Sequence, residues 1–113
     1  MGYDLYQELQ KKIQDLDICV KALRIKGKEY AQAEMDYKIE LSKEAIRLKD
    51  SGMAVTLIDK VIYGRPNIAR LRFQRDVAQT VYNANQESIN AIKLQIRILE
   101  NQISRELGQT KYD

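Results

Sequence analysis

Two heptad-spaced apolar seams, separated by one stretch punctuated by Gly52, Gly64 and Pro66, leave this chain few folds to choose from. In the first half Leu9, Ile13, Leu16, Val20, Leu23, Tyr30, Tyr37 and Leu41 recur in steps of three, four or seven, with Gly27 and Glu34 filling the remaining positions. In the second half Ile68, Leu71, Ala78, Tyr82, Ile89, Ile92, Ile96, Leu99 and Ile103 keep the same rhythm, with Arg75 and Asn85 as polar members. That spacing keeps one stripe of a helix turned toward a partner helix. It predicts two long helices.

The punctuation places their ends. Gly52 follows Asp50-Ser51 and suits the left-handed residue that closes a helix, and Pro66 suits a first helical turn. Between them Thr56 and Asp59 have the look of a capping box, and Leu57, Ile58, Val61 and Ile62 lie at helical spacing. The expected organisation is a single all-α hairpin: a helix from about residue 3 to 49, a tip over about 52–65 holding a short helix near 56–63, a helix over about 66–107, and a short C-terminal tail. Laid antiparallel, the seams match with Val20 on Leu99, Leu23 on Ile96, Tyr30 on Ile89, Tyr37 on Tyr82 and Leu41 on Ala78. Polar members then meet as well, Glu34 with Asn85 and Glu44 with Arg75, while Gly27 faces Ile92. Such layers are a common way for a helix pair to set its register.

A chain of 113 residues has room for one core, and an isolated hairpin buries only one seam per helix. Ile18, Ile25, Ile39 and Ile46 fall at multiples of seven on another face, and Val77, Val81, Ala84, Ser88, Ala91 and Ile98 flank the second helix. A wide apolar face covered by the tip and by lysine stems is one reading. Self-association through the isoleucines, as dimer or tetramer, is the expectation preferred here, because a series of exposed isoleucines calls for cover.

Residues that carry chemistry are few. The chain has no histidine, one cysteine, no phosphate-binding glycine loop and no G-x-S-x-G, so imidazole or thiolate metal sites and the common nucleophile–base pairs are ruled out. A carboxylate cleft from Glu29, Glu34, Asp36 and Glu40 with Asp76 and Glu87 is conceivable, but carboxylates on long helices usually form a solvated face. No enzyme activity, metal, cofactor or small-molecule substrate is expected. Cys19, between Ile18 and Val20, reads as a partly buried thiol. The short apolar runs do not reach membrane-spanning length, and the expected location is the cytoplasm.

Charge is the strongest functional pointer. From Lys43 to Arg75 there are eight basic and three acidic residues, a net of +5 against +3 for the whole chain, so the excess sits at the tip. Arg65, Arg70 and Arg72, with Lys60 and Tyr63, form a candidate contact for phosphates or an acidic protein surface. The competing reading makes these residues a solvated cap, with Arg75 tied to Glu44 or Asp76.

The stretch Gly52-Met53-Ala54-Val55-Thr56-Leu57-Ile58, then Gly64, Ala69-Arg70-Leu71, Arg75-Asp76-Val77-Ala78 and the run from Tyr82 to Lys93 resembles small helical proteins of unassigned role carried by phages and prophages of Gram-positive bacteria. The resemblance covers about the C-terminal half and brings no functional residues with it. It implies a host-cytoplasmic setting. Two functions follow as expectations: an oligomeric helical interaction module of adaptor or inhibitor type, or an accessory nucleic-acid-binding protein that touches phosphate backbones through its tip without reading sequence.

Overall fold

The computed structural model describes residues 2–112, with side chains described from Asp4 to Gly108. The fold is all-α: a long antiparallel two-helix hairpin with a short helix at its tip. Helix α1 runs Gly2–Asp50, α2 Val55–Val61, a 3₁₀ turn Ile62–Gly64, and α3 Pro66–Tyr112. The tail expected after residue 107 is therefore a continuation of α3, for which the last turns lack any proline or internal glycine pair to stop them.

Helix α1 ends where the sequence puts its stop. Gly52 has φ +91°, the Gly52 N–H donates to the Lys49 carbonyl at 3.0 Å and the Met53 N–H to the Leu48 carbonyl at 3.2 Å. These are the paired bonds of a Schellman turn, and its usual apolar clasp is present because Met53 packs on the core that holds Leu48. The capping box at Thr56 does not form. Helix α2 is capped two residues earlier, at Ala54, whose extended backbone accepts from the Leu57 and Ile58 N–H groups at 3.0 Å without any side-chain cap. The Schellman turn fixes where the chain re-enters a helix, which leaves Thr56 inside α2 instead of at its edge. Pro66 stands at the first position of α3, after Arg65 in extended conformation.

The chain packs as two compact units. The first joins α1 up to Arg24 with α3 from Asn83 onward, and Ile89 and Leu99 are its buried residues. The second comprises Ile25–Tyr82. Its core is Tyr37, Leu48, Ile58, Ile62 and Ile68, with Leu41, Ala45, Met53, Val61 and Leu71 packed around them. Ile58 and Ile62 thus plug the hairpin tip, and Ile68 at 0% exposure is the most enclosed side chain described.

The seam of α3 follows the expected residues, Ile68 and Leu71 through Ile103 being buried or half-buried. On α1 the expected Leu9, Leu16, Leu23, Gly27, Tyr30, Glu34, Tyr37 and Leu41 are likewise buried or half-buried, while Ile13 and Val20 are 50% and 37% exposed and their neighbours Lys12 and Cys19 are half-buried in their place.

The expected register is also corrected. In the second unit Tyr82 lies against Tyr30, ring centroids 6.0 Å apart, and not against Tyr37. Glu34 pairs with Arg75 at 3.6 Å, and Glu44 with Arg65 instead of Arg75. In the first unit Asn85 donates to the Cys19 carbonyl at 2.9 Å, and Leu23 borders a groove with Gln86 and Ile89, not Ile96. Relative to the sequence alignment the pairing along α3 is shifted by roughly two turns at Tyr30–Tyr82, three at Glu34–Arg75 and four at Cys19–Asn85. The facing polar residues exchanged partners relative to the alignment: Glu34 meets Arg75, Asn85 a backbone carbonyl, and Glu44 a residue of the tip.

Gly27 faces neither Ile92 nor open solvent. A Cβ there would stand 3.2 Å from Cε2 of Tyr82, so the missing side chain makes room for a seam ring, offsetting the helix penalty of glycine, about 1 kcal/mol relative to alanine. Gly27→Leu should therefore destabilise the fold by about 1–3 kcal/mol through overpacking, read as a lower denaturation midpoint at unchanged m-value in urea titration.

Candidate functional site

Two surfaces carry the residues singled out from the sequence: the tip of the second unit and the isoleucine rows of α1.

At the tip the main construction is a hydrogen-bonded cluster around Glu44, whose side chain is enclosed. One carboxylate oxygen accepts from Nε of Arg65 at 3.0 Å, and the other from Nδ2 of Asn67 at 3.0 Å and from Arg47. The same Asn67 amide donates to Glu40 at 3.0 Å, and Arg47 reaches Glu40 at 3.1 Å. Spacing explains the convergence. Glu40, Glu44 and Arg47 lie four and three apart on one face of α1, while Arg65 and Asn67 flank Pro66 where α3 begins, presenting donors before the helix has closed on itself. Hydrogen bonds from Asn67 are the leading cause that holds both carboxyls below their ordinary value of 4.5, followed by Arg47 for each and by Arg65 for Glu44, against the opposing effect of desolvation. Among the described residues no buried side-chain polar atom is left without a partner.

This cluster divides the expected contact residues. Arg65, read as free, is engaged on Glu44 and belongs to the closure of the tip. Arg72 lies over the Tyr63 ring at 5.2 Å from its centroid, so that pair is a preformed cation–aromatic unit on an exposed turn. Lys60 and Arg70 are exposed and have no carboxylate within ion-pair distance among the described residues. Arg75 sits 4.6 Å over the Tyr37 ring and donates to Asp76 at 2.8 and 3.0 Å, which leaves it structural. Of the expected contact residues, Lys60 and Arg70 are accordingly the unpaired ones among the described residues, with Arg72 held by Tyr63. Exposed Val55, Leu57 and Phe73 accompany them.

The second surface is apolar. Ile18, Ile25, Ile39 and Ile46 are 64%, 58%, 47% and 60% exposed. In the first unit Ile18 borders a shallow groove with Ser88, Ala91 and Gln95 of α3. In the second, Ile25 borders another with Glu29, Gln32, Asp36 and Gln74. In the first unit Ile18 thus shares a groove with the small residues Ser88 and Ala91 of α3, and in the second Ile25 shares one with Gln74.

The carboxylates considered for a metal cleft are not brought together. Glu29 pairs with Lys26, Glu34 with Lys38 and Arg75, and Asp36 accepts from Gln32. Among the described residues no group of three metal-ligating side chains converges. No helix among them is long and apolar enough to cross a membrane.

Asn67 is the residue that sequence reasoning missed. Its signal was the Arg65-Pro66-Asn67 opening of α3 set against an acidic i,i+4 pair, Glu40 and Glu44, on α1. No protein-family model, curated protein or solved structure matches the chain.

The lowered carboxyl values of Glu40 and Glu44 give a signed expectation. Each contributes stability that is complete above its unfolded value and lost as pH falls through the lower folded value. Thermal unfolding followed by circular dichroism should show a steeper loss of stability below about pH 4.5 in the parent than in Glu44→Gln, and Glu44→Gln should be less stable than the parent at pH 7.

Proposed function

We propose that the protein is a non-enzymatic, oligomeric helical interaction module of adaptor or inhibitor type, working in the cytoplasm and, following the resemblance of its C-terminal half, in the setting of a phage or prophage. The observation that carries this reading is the exposure of Ile18, Ile25, Ile39 and Ile46, four branched apolar side chains at seven-residue multiples on a chain whose own core uses other positions. Sizeable apolar series on a protein surface are commonly covered by a partner. Helical pairing modules bury such rows against another helix. The expected partners are copies of the chain together with another protein, and no cofactor, membrane or small-molecule substrate enters the reading.

Sedimentation at micromolar concentration should give an oligomer, and Ile25→Lys with Ile39→Lys should return it to the monomer while leaving most of the helical signal. A monomeric parent chain would remove the reading.

A second reading, contact with nucleic-acid phosphates, rests on the unpaired Lys60 and Arg70 beside the Arg72–Tyr63 pair. Its proper test spares Arg65, because that residue closes the tip. Lys60→Glu, Arg70→Glu and Arg72→Glu together should change stability by no more than about 1 kcal/mol per site, and should abolish single-stranded or duplex DNA binding measured by fluorescence anisotropy if the tip is the contact. Such binding should fall steeply with added salt; salt-insensitive retention would favour the apolar surface.

A further inference from the structure

We infer that the apolar side of the second unit docks a second copy of this chain in antiparallel orientation, and that the row of charges along it sets that orientation. The inference rests on the reading of the isoleucine row as an assembly surface.

The groove bordered by Ile25, Glu29, Asp36 and Gln74 places the row of α1 and the edge of α3 on one side of the unit. Along α1, Ile39 and Ile46 repeat the position of Ile25 at multiples of seven. Along α3, Val77 and Val81 follow Gln74 at steps of three and four, so the same edge continues as exposed valines. Aliphatic side chains on both helices therefore border one side.

The charges bordering that side are ordered. Glu29, Asp36 and Lys43 occupy one row at intervals of seven, and all three are exposed. On the edge of α3, four residues before Gln74, lies Arg70, also exposed. The antiparallel run of the helices, with Tyr37 beside Arg75 and Glu44 beside Asn67, puts Arg70 at the level of the tip-proximal end, together with Lys43. The row is thus acidic away from the tip and basic toward it, and Lys28, one residue before Glu29, borders the same groove outside that row. A second copy in parallel orientation sets like charges against like. A copy turned end for end about a two-fold axis sets Lys43 and Arg70 of each chain toward Glu29 and Asp36 of the other, twice over. The set of Glu29, Asp36, Lys43 and Arg70 is self-complementary in that orientation, and Glu29 and Asp36 have only local, solvent-exposed contacts with Lys26 and Gln32 to give up. Exposed pairs of this kind select orientation, and the isoleucines and valines supply the affinity.

The test uses the full chain. Sedimentation of the parent at micromolar concentration should give a dimer or a multiple of it. Chains with Lys43→Glu and Arg70→Glu, or with Glu29→Lys and Asp36→Lys, should each self-associate at least tenfold more weakly, and an equimolar mixture of the two should recover the parent affinity. Orientation is read by nitroxide labels at Asp50→Cys in a Cys19→Ser background. Antiparallel docking centred near Asp36 separates the two labels by about 40 Å at 1.5 Å per residue, whereas parallel docking brings them within about 20 Å. A monomeric parent overturns both this inference and the reading beneath it. A dimer with the labels close together, or charge variants that associate as tightly as the parent, overturns the inference and leaves the reading standing.

Discussion

Closure of the tip on Glu44 is the constraint from which the rest of the second unit follows. An enclosed carboxylate is costly unless its oxygens are engaged, and Glu44 is engaged by donors from both sides: Arg47 on its own helix, and Arg65 and Asn67 at the start of α3. Because Arg65 and Asn67 flank Pro66, the entry of α3 is fixed within a residue or two of its first turn. Ile58, Ile62 and Ile68 then close over Leu48 and Tyr37. The register of the seam beyond this point is a consequence: with Asn67 on Glu40 and Glu44, Arg75 falls on Tyr37 and Glu34, and Tyr82 on Tyr30 and Gly27.

This order of causes explains what could be read from the sequence and what could not. Helix existence, the stop at Gly52, the start at Pro66 and the α3 seam were legible because each depends on local rules: heptad spacing, a left-handed glycine, a proline without an amide hydrogen. The register was not. It looked like a matter of matching polar layers, and Glu34, Asn85, Glu44 and Arg75 were paired on that basis. In the structure each is satisfied across a different geometry, Asn85 by the Cys19 carbonyl and Arg75 partly by an aromatic face, options that a layer diagram does not contain. The departure of two α1 seam positions has a related origin. Ile13 and Val20 match the heptad as well as Lys12 and Cys19 do, and apolar character alone cannot say which of two adjacent positions turns inward.

The candidate contact residues were legible as a class but not one by one. Local sequence showed that the tip region is rich in cations, and it could not show that Glu44, more than twenty positions away, neutralises Arg65. What distinguishes Arg65 from Arg70 is a non-local carboxylate. Sequence separation from acidic residues therefore overstated the free charge at the tip, and the hydrogen-bond pattern restores the proportion: Arg47, Arg65 and Arg75 hold the fold together, Arg72 lies over Tyr63, and Lys43, Lys49, Lys60 and Arg70 remain exposed without an ion pair among the described residues.

The apolar surplus has a different logic from the tip charges. A two-helix layer gives each helix one neighbour, so a helix with apolar residues on two faces buries one of them at most. The tip can relieve this only where it reaches, and it does so for Leu48 and Ile68. Ile25, Ile39 and Ile46 in the second unit lie on positions of α1 that the tip does not enclose, and each stays about half exposed. Replacing them by polar residues would cost the buried core nothing, since none of the three belongs to it. Their presence at an unbroken heptad interval, Gln32 filling the one polar place, is what a second packing surface requires and what folding of a single chain does not.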